Sequence, residues 1–364
     1  MTPPRPFRLI DSGVADGRRH IAYDAALIEL HAAGEAPDTV RLLRFPPTVL
    51  VGRHQVLARE VHVERCRAEG VGLVRRLTGG GAIYLDEGQV GWELVFGRKS
   101  LGLDTLGDYA QAISEAVAGG LSEAFAIRAR FRPRNDIEVD GRKISGTSGY
   151  FEGDTLVYQG TVLVDFDAAR MARLLNTPAE KLARHAANAE SRVVSLSELI
   201  GAAPSLERVH DAILDGLRRH LGIATEPAQA SAAEIALTDH LLASEIGTDD
   251  FVVDAGGGLA TAGPEPILEA TRRCPGGTIT AYVRLEGAPG SRHIREVSIT
   301  GDFFISPPRA LYDLEARLRG APASAAGAVV EASFATAAIG MLSLTAADFA
   351  AVLRAAIDRD GATP

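Results

Sequence analysis

Two stretches of this 364-residue chain hold the residue types best suited to chemistry. The first, Leu73-Val-Arg-Arg-Leu-Thr-Gly-Gly-Gly-Ala-Ile-Tyr-Leu-Asp86, carries Arg75 and Arg76 into a turn of Gly79, Gly80 and Gly81. A backbone without side chains can approach a ligand closely, and its N–H groups can converge on an anion. Neighbours in an extended segment face opposite ways, so only one of the two arginines can point into the loop. The second stretch is Arg134-Asn-Asp-Ile-Glu-Val-Asp-Gly-Arg-Lys-Ile-Ser-Gly146. Its Asp140-Gly141 pair reads as a hairpin turn, which brings Asn135 and Asp136 close to Lys143 across two strands.

A glycine loop, Arg76, Asn135, Asp136 and Lys143 together make an anion-handling set that suits adenylation of a carboxylic acid. Attack of a carboxylate on the α-phosphate of ATP gathers negative charge at phosphorus and on departing pyrophosphate, where positive charge and backbone N–H groups stabilise it. Lys143 supplies a compact charge to phosphate and carboxylate, and Asp136 can hold Mg²⁺. The glycine run is also open to use as a plain tight turn. It is not a Walker loop, since no Lys-Ser/Thr follows, nor a dinucleotide fingerprint, since strand pattern follows.

Other chemistries fit less well. Gly146-Thr-Ser-Gly149 lacks the spacing of a nucleophile elbow. No two histidines lie one helical turn apart, and His54 and His62 are the nearest pair. Cys66 sits in a helical, partly apolar segment and reads as an inert thiol.

These residues need a scaffold, and the composition supplies one. Hydrophobic residues make up 46% of the chain and charged residues 23%, which is globular. A net charge of −9 argues against broad attraction to nucleic acid. Cys66 and Cys274 lie far apart, there is no signal-like start, and no window approaches the ~20 apolar residues of a membrane span. A cytoplasmic protein that meets neither membrane nor nucleic acid is expected.

Periodicity predicts strands over 7–10, 40–45, 48–51, 71–74, 82–84, 136–139, 143–145 and 155–164, and helices over 21–30, 61–69, 109–126, 168–175 and 206–221. Gly52-Arg53-His54-Gln55 is a polar turn at a sheet end. Arg128, Arg130, Arg132 and Arg134 share one face if extended: either a solvated edge, as Pro133 favours, or a surface that seeks an anion. A Gly/Pro-rich hinge spans 254–266, with strands over 278–285 and 293–300 and helices over 308–318 and 346–357 beyond it. The expected class is α+β, with mixed or antiparallel sheets flanked by helices. Residues 1–250 form a catalytic domain, 251–265 a linker and 266–364 a small α+β accessory domain.

The chain resembles the lipoate–protein ligases of the A type, within the biotin/lipoyl ligase fold. The resemblance is carried by Arg75–Tyr84, by Asn135-Asp-Ile with Gly141-Arg-Lys-Ile-Ser-Gly146, and by Gly160-Thr161. Gly52–Gln55 and Ser191-Arg-Val-Val-Ser-Leu196 add two weaker motifs. It implies ATP-dependent activation of lipoate as lipoyl-AMP, then transfer to a lysine of a lipoyl domain or a glycine-cleavage-H-like carrier. Lys143 matches the catalytic lysine. Arg76, Ala82, Ile83, Tyr84 and Leu85 match nucleotide contacts, Thr78 to Gly81 border the acyl tunnel, and Asn135 and Asp136 lie near phosphates and Mg²⁺, with Gly160 and Thr161 completing the set. Leu85-Asp86 stands where the family has His-Asp. Gly88-Gln89 looks closer to the octanoyltransferases, which need an acyl-accepting cysteine that this sequence lacks nearby. The alternatives are therefore an octanoyltransferase acting from octanoyl carrier protein, or a non-catalytic homologue.

Overall fold

The computed structural model describes residues 6–133, 135–176, 192–253, 265–336 and 339–361. In chain order the strands of the larger part are β1 (Phe7–Val14), β2 (Thr39–Arg44), β3 (Thr48–Val51), β4 (Gly72–Arg75), β5 (Ile83–Leu85), β6 (Gln89–Gly97), β7 (Ala129–Arg132), β8 (Asp136–Val139), β9 (Arg142–Glu152), β10 (Thr155–Leu163) and β11 (Thr225–Pro227). Among the described residues they form an eight-stranded mixed sheet, β11-β1-β2-β6-β10-β9-β8-β7, and a three-stranded sheet, β4-β3-β5.

Alternation along β6 assigns the faces of the large sheet. Val90, Trp92, Leu94 and Phe96 pack against Ile113, Val117 and Leu121 of the helix Leu106–Phe125, and against Ile213 and Leu217 of Leu206–Leu221. Those two helices cross on glycines. A Cβ on Gly120 would lie 2.0 Å from the Ala212 carbonyl oxygen, and one on Gly216 2.2 Å from that of Ala116. Val95, on the opposite face, joins Leu27 of the helix Gly17–Ala32, Tyr150 and Val157, with Leu77 of the glycine stretch packed against them. The small sheet and the glycine loop are thus laid over this second face.

That face also carries buried charge. Arg41, Glu93, Gln159 and Ser148 are successive partners across β2, β6, β10 and β9. Arg41 bonds to Asp24, donates to the Ser12 hydroxyl at 2.8 Å and to His20 Nδ1 at 2.7 Å, and lies 3.6 Å from Glu93. His20 stays neutral, its pKa pushed down to about 3 by burial and by Arg41. Burial, and then the charge of Asp24, pushes Glu93 up to about 8 against the pull of Arg41. A proton on Glu93 leaves Asp24 as the single carboxylate balancing Arg41.

The sign of the linkage follows. Glu93 holds a proton in the folded chain that the unfolded chain has lost, so stability is full at low pH and falls as pH rises from ordinary carboxyl values through about 8. The slope is at most about 1.4 kcal/mol per pH unit. Thermal melts between pH 5 and pH 9 are expected to show a falling midpoint that Glu93→Gln flattens; a parental midpoint constant from pH 6 to 9 would refute the protonated carboxyl.

The C-terminal part holds β12 (Leu268–Cys274), β13 (Gly277–Glu286) and β14 (His293–Gly301) in one antiparallel sheet, with β15 (Ile305–Ser306) and β16 (Gly340–Met341) as a separate pair. Its core is distinct and includes Ile279, Val283, Ile299, Leu314 and Phe349. Sequence reading missed β12, β11 and the helix Ala232–Ser244. The last buries Glu234, whose carboxylate takes Arg8 at 2.5 Å, so a charged pair marks its inner face. Residues 254–264 of the expected hinge, with Gly256 to Gly258, lie outside the described residues.

Candidate functional site

The hairpin forms as its residues dictate: Asp140 and Gly141 both take positive φ, 49° and 82°, between β8 and β9. Register shifts after Ile137, so Asp136 faces Gly146 and Glu138 faces Lys143. Lys143 folds back along its own strand. Its Nζ lies 2.7 Å from Asp136 Oδ1, and a Cβ on Gly146 would lie 2.5 Å from Nζ and 2.8 Å from Cε. Burial works against the Asp136 charge, but Lys143 and Arg132 outweigh it and hold the carboxyl below its usual range.

Two positions further along β9, on the same face and ~7 Å away, stands Ser148. Gln159 Nε2 donates to the Thr78 hydroxyl at 3.0 Å, and the Thr78 and Ser148 hydroxyls share a hydrogen bond of 3.0 Å. The base of the glycine loop and the Lys143 ammonium therefore occupy neighbouring places on one strand. Lys143 is about a third exposed, whereas Thr78 is buried.

Arg75 and Arg76 do diverge, but neither waits for an anion. Arg75 reaches the carbonyls of Phe251 and Val252 at 3.0 and 2.8 Å, and those of Gly52 and Gln55 at 2.9 and 2.8 Å. Arg76 enters the loop and gives its N–H groups to Gly79 at 2.7 Å, Gly81 at 2.8 Å and Leu50 at 3.3 Å. Burial, and then Arg75, lowers its pKa to about 10. Three backbone carbonyls thus take the guanidinium expected to cradle phosphate.

The loop itself is covered from the C-terminal side. Gly80 N–H donates to the Phe303 carbonyl at 3.1 Å, Gly301 N–H to that of His54 at 2.9 Å, and Phe151 N–H to Ser306 Oγ at 2.7 Å. His54, expected in a polar turn, is buried and stacks on Phe303 with centroids 5.3 Å apart. Burial, and then Arg53, depresses its pKa to about 3.

Other expected residues separate. Gly160 faces the opposite side of the sheet, where a Cβ would lie 2.4 Å from Trp92; Thr161 keeps the site side. Ile83 and Leu85 face the helix Gly17–Ala32, but Tyr84 points away into a cluster with Val49 and Cys66. Ala82 packs against the edge of that cluster. Asn135 donates to the Thr147 carbonyl at 2.9 Å and accepts from its N–H at 2.7 Å, which clamps β8 to β9. Both Asp136 oxygens face cations, Lys143 and Arg132, and no described group of three or more His, Cys, Asp or Glu could hold a metal ion. This arrangement does not fit a Mg²⁺ ligand. Ser191 and Arg134 lie outside the described residues.

Ser148, Gln159 and Arg132 are the site neighbours that motif reading overlooked. Period-two alternation from Gly146 and Thr161 would have found the first two. The arginine run lies on the solvated edge strand, the first of the two fates expected of it, and finds its counter-charge in β8 and the turn after it: Arg130 pairs with Glu138 at 2.6 Å, Arg132 with Asp136, and Arg128 reaches Asp140 at 3.5 Å.

The family model for the lipoyl protein ligase A/B catalytic domain matches residues 16–218. The chain is 29% identical to octanoyltransferase LipM of Kyrpidia tusciae over 262 residues, 65% of this chain and 95% of that protein. It is 25% identical to octanoyltransferase LipM of Bacillus subtilis over 270 residues, 67% and 97%. The fold is that of P. falciparum LipL1 solved in complex with lipoate, at TM-score 0.70 and 16% identity over 96% of this chain and 98% of that one. These relatives correct the expectation of ATP-dependent lipoate ligation, because the curated proteins matched along nearly their whole length are octanoyltransferases.

Proposed function

The chain belongs to the lipoyl protein ligase A/B catalytic domain family, and from that premise we propose that it transfers an octanoyl group from a carrier-bound thioester to a lysine of a lipoyl-domain protein. Kinship to the octanoyltransferases supports the acyl group and the donor. The observation that carries the reading onto this chain is the Lys143 ammonium, held over Gly146 beside the Thr78–Ser148–Gln159 cluster.

In the proposed reaction the acceptor amine attacks the thioester carbonyl, and the C–N bond forms as the carbonyl oxygen gains negative charge. Lys143 donates to that oxygen, an interaction stronger in the transition state than before it. The C–S bond then breaks, and the departing thiolate takes the proton the amine gives up. Thr78, Ser148 and Thr161 line the adjoining sheet face, residues 1–250 hold the site, and 266–364 are an accessory part over the loop.

Transfer is direct, with no acyl-cysteine. Cys66 is buried behind the small sheet, and burial together with Glu69 raises its thiol pKa. Cys274 lies in the C-terminal core, where burial and Asp348 do the same. Mass spectrometry of an apo lipoyl domain incubated with octanoyl carrier protein tests this. Octanoylation is expected without ATP, at the parental rate in a Cys66→Ser/Cys274→Ser double variant. Strict dependence on ATP, or a thioester trapped on either cysteine, would overturn it.

A further inference from the structure

We infer that Arg132, on the edge strand β7, is a positioning residue for Lys143 that acts through Asp136, and that Gly146 is the floor on which the ammonium rests. This builds on the reading of Lys143 given above. The Asp136 carboxylate is shared, with Oδ1 2.7 Å from Lys143 Nζ and Oδ2 bonded to the Arg132 guanidinium. Arg132 also reaches Glu138 at 3.4 Å, and Glu138 takes Arg130 at 2.6 Å. Charges alternate along one face, from the solvated sheet edge inward to Lys143.

The sharing matters because Lys143 has two acceptors to serve. At rest its ammonium bonds to Asp136; during transfer it must turn to the carbonyl oxygen as charge builds there. Asp136 is mostly enclosed, and a carboxylate abandoned in that setting resists the change. Arg132 stays on the other oxygen throughout, so the carboxylate keeps a counter-charge when Lys143 leaves it. Gly146 has the complementary part. Any side chain there would overlap Nζ and Cε, which fixes where the ammonium can lie.

Steady-state octanoyl transfer by Arg132→Met, Arg132→Lys, Gly146→Ala and Lys143→Ala, each checked by thermal melting, separates the possibilities. In Arg132→Met, kcat is expected to fall about tenfold with KM for the octanoyl carrier nearly unchanged, and Arg132→Lys to recover most of the loss. Gly146→Ala, which displaces the ammonium but leaves Arg132 on Asp136, should lower kcat on its own account and serves if Arg132→Met does not fold. Parental kcat in both Arg132→Met and Gly146→Ala, or a rise in KM alone, overturns the inference. Were Lys143→Ala itself to transfer at the parental rate, the reading of Lys143 would fall; with Lys143→Ala inactive and Arg132→Met normal, only the positioning role would.

Discussion

Lys143→Ala is expected to lose octanoyl transfer by a factor of about 10²–10³, the usual effect of removing one donor to a developing oxyanion. The loss should fall on kcat, because the donor matters most after the carbonyl has begun to gain charge. Stability should change little. The ammonium is about one-third exposed and its partner Asp136 keeps Arg132, so a melting midpoint within a few degrees of the parent is expected. Lys143→Arg should recover little, since a planar fork cannot lie where Gly146 leaves room for one compact ammonium. The assay is single-turnover transfer to an apo lipoyl domain, followed by intact-protein mass. A variant that transfers at more than a tenth of the parental rate would show that the oxyanion is held by something else.

Local pattern made much of this legible. The long helices Leu106–Phe125 and Leu206–Leu221 show apolar spacing, and the Asp140-Gly141 turn names its own geometry. The pairing of Asp136 with Lys143 follows from that turn. What stayed hidden depends on partners remote in sequence. Arg76 reads as a phosphate ligand because no motif shows that the carbonyls of Leu50, Gly79 and Gly81 converge on it. Asn135 reads as a ligand until Thr147 is brought against it. The arginines of β7 read as unpaired because the strand that neutralises them, though adjacent in sequence, must first be set in register. Gly160 has the same ambiguity, since alternation alone does not say which face holds Trp92.

The glycine loop is where the two parts of the molecule meet, and its three glycines are not equivalent. A Cβ on Gly79 would lie 2.1 Å from the Phe303 carbonyl oxygen, a clash with backbone that no rotamer relieves. Gly80 holds φ at +93°, and a Cβ there would lie 2.8 Å from the Phe304 ring. Gly81 has open space, with the nearest atom 3.9 Å away on Asp302. The first two glycines let the 301–304 segment seat on the loop, whereas a side chain on the third would meet no close neighbour.

A graded result is therefore expected from alanine at these positions. Gly79→Ala should force 301–304 away, break the bond from Gly80 N–H to Phe303, and cost about 3 kcal/mol, the upper range for overpacking a closed site. Gly81→Ala should cost a few tenths of a kcal/mol at most, as its φ is not left-handed and its Cβ meets nothing close. Urea melts would give the two energies, and hydrogen exchange at the Gly80 amide and across 301–306 would show the first variant unseated and the second not. Equal stability in the two variants would mean that the C-terminal segment does not rest on the loop in solution. In that event the covering of the loop would have no part in closing the site.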